Sequence, residues 1–138
     1  MSWWAYALVS AAFASATAIL AKVGVEGVPS HLATAIRTVV ILVFAWGITI
    51  GLGQHRELFK LSSRSLLFLG LSGIATGLSW LAYFRALQLG PASRVASVDK
   101  SSLALTVVLA GVVLREPITL RVAAGAALIL GGTFLMTR

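Results

Sequence analysis

Five apolar stretches, each about long enough to cross a ~30 Å hydrocarbon core, take up most of this 138-residue chain. They cover residues 3–21, 32–53, 66–89, 95–114 and 118–136, and the short segments between them hold most of the charge and all three prolines. Almost nothing remains from which to build a soluble domain. A composition that is 59% hydrophobic and 11% charged agrees with an integral membrane chain. Inside lipid each span must satisfy its own backbone hydrogen bonds, and runs of about 20 apolar residues without alternation specify helices, not barrel strands. The expected fold is all-α, a polytopic bundle of five transmembrane helices forming one domain over residues 1–138.

Ala14, Ser15 and Ala16 have the small-residue look of a signal-peptide cleavage site. The chain starts Met1, Ser2, Trp3, Trp4 with no basic residue before the apolar run, so the first span is expected to stay in the protein. Cysteine is absent, which excludes disulfides, zinc-thiolate sites and thiol nucleophiles. The net charge of +7 does not form a basic patch on a soluble face, and nucleic acid is not an expected partner. The Lys and Arg side chains sit instead at membrane boundaries as anchors to the bilayer. With alternating spans, one side carries Arg56, Lys60, Arg64, Arg115 and Arg121. The other carries Lys22, Arg94 and Arg138, with Arg85 and Lys100 near it. Orientation follows such counts in short loops, and this bias is weak. It is compatible with insertion both ways up, with a lean towards a cytoplasmic N-terminus from the cluster between the second and third spans.

Local signals mark the joints. Pro29 and Ser30 precede the second span with Ser30 placed as an N-cap, Gly90 and Pro91 end the third with Ser93 placed to cap the fourth, and Glu116 and Pro117 precede the fifth. Residues 54–65 read as an amphipathic surface connection. In the third span, at about 100° per residue, Ser72, Thr76, Ser79 and Tyr83 share one face while Gly70, Gly73 and Gly77 share nearly the opposite one. The glycine face suits close helix approach, and so do Gly47 and Gly51 in the second span. The hydroxyl face, with Trp80 beside it, suits a polar path; alternatively its hydroxyls bond back to their own helix. Weaker stripes align Tyr6, Ser10, Ala14 and Thr17 in the first span and Asp99, Ser102 and Thr106 in the fourth.

An ionisable group deep in the bilayer costs about 2.5–3.5 kcal/mol on insertion scales and calls for compensation. Arg37 lies about two turns into the second span, Arg85 near the end of the third, and Asp99 and Lys100 early in the fourth. Neighbours on a helix point apart, so Asp99 is expected to seek Arg37 or Arg85 instead of Lys100, and Arg85 and Lys100 are placed to snorkel. No catalytic constellation is legible. His31 and His55 fall in different connections, no carboxylate pair shares a face, and neither a metal spacing nor a phosphate-cradling loop is present. The chain is not expected to be an enzyme or to carry a cofactor or metal.

The run from Trp80 through Tyr83, Phe84, Arg85 and Gln88 to Gly90, the segment from Ala92 to Ala96, and Leu114, Arg115, Glu116, Pro117, Ile118 and Thr119 leading through Gly125 to Gly131 and Gly132 resemble the EamA branch of the drug/metabolite transporter superfamily. The resemblance covers essentially the whole chain. It implies one five-helix unit where larger members have two in inverted orientation, and a secondary transporter or exporter of small metabolites or drug-like solutes. Such a chain works as an antiparallel homodimer or with an oppositely inserted partner, in a bacterial inner membrane. Asp99 and Lys100 stand where larger members often carry proline, so substrate classes do not transfer. The expected path residues are Thr34, Arg37, Thr76, Ser79, Trp80, Tyr83 and Asp99. Arg37 would hold an anionic group, Asp99 would pair with it or take a proton, and Trp80 and Tyr83 would form an aromatic wall. A non-transporting accessory subunit of a membrane complex is the alternative.

Overall fold

The computed structural model describes residues 2–138, and every regular element among them is helical. Five helical segments are long and apolar enough to cross a membrane: Trp3–Gly24, Ser30–Gly51, Ser63–Leu89, Ala92–Leu114 and Leu120–Thr137. The first three are the unbroken helices α1, α2 and α3. The fourth divides into α4 (Ala92–Lys100), α5 (Ser102–Leu109) and a wider π turn over Ala110–Leu114, and the last is α6. A short 3-10 helix, Gln54–Lys60, fills the connection between α2 and α3. In four of the five spans the most apolar window holds no buried residue. Apolar side chains that face outward along a whole helix are what a hydrocarbon solvent requires.

The chain divides into two compact units, Ala21–Gln88 and a second made of residues up to Leu20 together with Leu89–Arg138. In the first, α1 turns into α2 through Gly27, whose φ of 70° suits a residue without a Cβ. The turn is tied to the end of α3. Lys22 Nζ donates to the Leu87 carbonyl at 2.6 Å, and Gln88 Nε2 donates to the carbonyls of Val28 at 2.6 Å and Val25 at 3.3 Å. These carbonyls lie at the helix ends and in the turn, where side chains supply donors that the helix ladder does not, and the Val25 carbonyl also accepts from the Val28 N–H at 3.4 Å. Ala21, Val25, Phe84 and Leu87 are buried around this joint.

In the second unit α6 packs along both α4 and α5. Thr133 Oγ1 donates to the Ser97 carbonyl at 3.0 Å, and Ser97 Oγ meets Met136 Sδ at 2.8 Å. The hairpin closes beyond Leu114, where Arg115 takes a left-handed φ of 56° and the Glu116 N–H reaches back to the Ala110 carbonyl at 3.2 Å. Ile118 then folds over Gly111, where a Cβ would lie 2.5 Å from Ile118 Cδ1. Thr119 caps α6, its Oγ1 accepting from the Val122 N–H at 3.3 Å.

Three expectations about the joints need correction. Ser30 and Ser93 do not cap: Pro29 and Pro91 occupy the cap positions without side-chain hydrogen bonds, and the serines fall inside α2 and α4. Proline has no N–H to satisfy and its φ already suits a helix start, so each helix extends back to it. The last helix begins at Leu120, leaving Ile118 and Thr119 in the connection. The fourth span changes its hydrogen bonding at Ser101, whose hydroxyl donates to the Val98 carbonyl at 2.6 Å while its N–H reaches the same carbonyl, three residues back, at 3.0 Å. A serine that competes for a helix carbonyl disturbs the ladder around it.

Gly111→Val is expected to lower the melting temperature of the detergent-purified protein, at about 1–3 kcal/mol for overpacking. Gly131→Ala, where a Cβ meets nothing within 4 Å, leaves it nearly unchanged, and equal shifts for both would contradict the close Ile118 contact.

Candidate functional site

Arg37 is half-buried and carries its charge well inside α2. Its guanidinium carbon lies 4.4 Å from the centroid of the Trp80 ring and 5.5 Å from that of Phe84. Trp80 and Phe84 are four residues apart on α3, hence on one face, and together present a surface of π density to one cation. Arginine suits such a surface because its planar, weakly hydrated head stacks on aromatic rings. A desolvated cation–π contact contributes up to about 2 kcal/mol, against the roughly 2.5–3.5 kcal/mol that a central arginine costs on insertion. The rings therefore offset much of the cost of a charge in this position.

The hydroxyls near Arg37 are turned towards backbone. Thr34, which is buried, donates to the Ser30 carbonyl at 2.9 Å, and Thr38 donates to the Thr34 carbonyl at 2.8 Å. Tyr83 is half-buried and within electrostatic range of the guanidinium. Among the described residues, Arg37 makes no hydrogen bond and no ion pair; its contacts are the two rings and Tyr83.

Of the residues expected along a path, Thr34, Arg37, Thr76, Ser79, Trp80 and Tyr83 all belong to the unit Ala21–Gln88. Arg37, Trp80 and Tyr83 come together there. Thr76 and Ser79 lie exposed further along α3, and Thr76 donates to the Ser72 carbonyl at 2.9 Å, the backbone-bonded alternative for that hydroxyl. Asp99 belongs to the other unit, beside the change in hydrogen bonding at Ser101.

The charges meet partners other than those expected. Asp99 Oδ2 lies 3.8 Å from Lys100 Nζ, a loose pair with both side chains well exposed. The helix directs the two residues apart, but the long lysine stem bends its ammonium round to the carboxylate. Arg85 donates to Gln88 Oε1 at 3.1 Å and so holds the amide that donates to the α1–α2 turn. Phe84 went unrecognised as a second ring beneath Arg37; its spacing of four from Trp80 was the available signal. Ser101 was likewise missed, although consecutive serines following two charged residues in an apolar span were visible.

Of the five glycines expected to pack helices, Gly47, Gly51, Gly70 and Gly73 are exposed and Gly77 is half-buried, and a Cβ on any of them would meet nothing within 4 Å. Their faces have room for a further helix.

Five outward-facing apolar helices define a polytopic α-helical membrane protein, and Arg37 within its second span is stacked on aromatic rings. The chain belongs to the EamA-like transporter family, whose model matches residues 1–138. It is similar to a Sinorhizobium protein described as an uncharacterized transporter in the cobO 3′ region, at 48% identity over 135 residues, covering 98% of this chain and 96% of that protein. No solved structure matches it.

Proposed function

We propose that the chain is a secondary transporter or exporter of small metabolites or drug-like solutes in a bacterial inner membrane, acting as an antiparallel homodimer or beside an oppositely inserted partner. The observation that carries this reading is the stacked Arg37, a charge held inside a span of a transporter-family chain without a carboxylate partner among the described residues. Intramembrane ionisable groups of this kind mark solute and ion pathways. Thr34, Arg37, Thr76, Ser79, Trp80 and Tyr83 supply the polar and aromatic wall. Asp99, early in the fourth span, supplies a second charged element that pairs with Arg37 or takes a proton. The open glycine faces and the weak Lys and Arg bias support a paired, oppositely inserted arrangement. The bacterial setting is supported by the Sinorhizobium relative.

Two measurements test the reading. A topology reporter fused to the C-terminus is expected to show a mixed orientation that added lysines after α1 drive to one side. One fixed orientation in the unaltered protein removes the homodimer and leaves a separate partner or an accessory subunit. Asp99→Asn is expected to abolish solute movement in proteoliposomes while insertion is preserved, and unchanged activity would remove Asp99 from the mechanism.

A further inference from the structure

We propose that the solute taken by the Arg37 site is a small organic anion, gripped through a carboxylate or phosphate-type oxyanion by the edge of the Arg37 guanidinium while Trp80 and Phe84 hold its face. The inference rests on the transport reading of this site and adds the chemical class of what is carried.

A guanidinium has two kinds of surface. Its faces stack on π density, and its N–H donors point outward in its own plane, in a fork that matches two oxygens of one oxyanion. In this protein the ring contacts, at 4.4 Å and 5.5 Å to the centroids, engage the cation without engaging a hydrogen-bond acceptor. The nearby threonine hydroxyls donate to the backbone. Gln88, the amide near this end of α3, is already committed to Arg85 and to the Val25 and Val28 carbonyls. Tyr83 is also within electrostatic range of the guanidinium, but the ion pairs among the described residues give Arg37 no carboxylate, and what its edge lacks is an anionic acceptor. A cationic solute would meet like charge at the same place, and a neutral one would leave the fork without a charged acceptor. Half-burial of Arg37 keeps the fork reachable while reducing competition from water.

Trp80 is a built-in reporter of this event. The other tryptophans are exposed, at 82% for Trp3, 56% for Trp4 and 42% for Trp46. Replacing all three by Phe leaves Trp80 as the sole indole emitter. The full chain in phosphatidylcholine nanodiscs is titrated with benzoate, succinate and inorganic phosphate, with benzamide and tetraphenylphosphonium as neutral and cationic counterparts. The expected result is a saturable change in Trp80 emission with one or more of the anions and none with the counterparts. Arg37→Lys, which keeps the charge and loses the fork, weakens binding by about tenfold or more. Melting curves of the unaltered protein repeat the comparison without any substitution, the binding anion alone raising the transition.

An equal response to benzamide or tetraphenylphosphonium would overturn the proposal, as would Arg37→Lys binding as tightly as the unaltered protein. A response confined to nanodiscs containing phosphatidylglycerol, with no effect of soluble anions, would also overturn it by assigning Arg37 to a lipid headgroup. Binding is read here without transport. Solute movement with no anion preference therefore sinks only this inference, and anion binding without movement sinks only the transport reading.

Discussion

Hydrocarbon offers no hydrogen bonds, so every polar group that this chain carries into the membrane has to find its partner inside the protein. That demand shapes nearly every contact described above. Thr34, Thr38, Thr49, Thr76 and Thr106 each donate to the carbonyl four residues earlier. Where the helices stop, side chains take over: Lys22 and Gln88 serve the carbonyls at the joint of α1, α2 and α3, and Thr119 serves the first N–H groups of α6. Arg37 obeys the same demand by a different route. It has no acceptor among the described residues and rests on aromatic faces, which compensate charge without forming a hydrogen bond.

The same solvent explains how little of the chain is buried. Burying apolar surface brings little gain when lipid tails are as apolar as leucine, so association depends on small residues, close contacts and polar links. In the second unit Gly111 lets Ile118 fold back and Ser97 and Thr133 join α4 to α6. A Cβ on the glycines of α2 and α3 would meet nothing within 4 Å among the described residues. That asymmetry, tight contacts in some places and open small-residue faces in others, is what a helix pair awaiting another chain has in common with the arrangement proposed for this protein.

The spans were legible from the sequence because length and hydropathy alone determine which segments cross a membrane, and all five are present within a few residues of the expected limits. The caps at Ser30 and Ser93 were misplaced because a preceding proline starts a helix without a side-chain cap. The change in hydrogen bonding at Ser101 was not foreseen, since hydropathy averages over a local rearrangement of a single turn. At the candidate site, the cost of a charge in lipid singled out Arg37. The identity of its neighbours depends on how α2 lies against α3, which periodicity does not encode, and those neighbours include the Trp80 and Phe84 rings. Membership of the EamA-like family agrees with the resemblance carried by the segment from Trp80 to Gly90 and by the turn around Glu116.

The central claim is that the hydroxyl face of α3 borders a water-accessible path and not lipid. The absence of cysteine makes this directly measurable, since a single introduced cysteine is the only thiol present. Cysteines placed at Thr76, Ser79 and Tyr83 in membrane vesicles are treated with a charged, membrane-impermeant thiol reagent, beside controls at Ile74 and Leu78 on the other side of the helix. The account predicts modification at the first three positions and little at the controls. Equal protection of all five positions would place this face in lipid and contradict it.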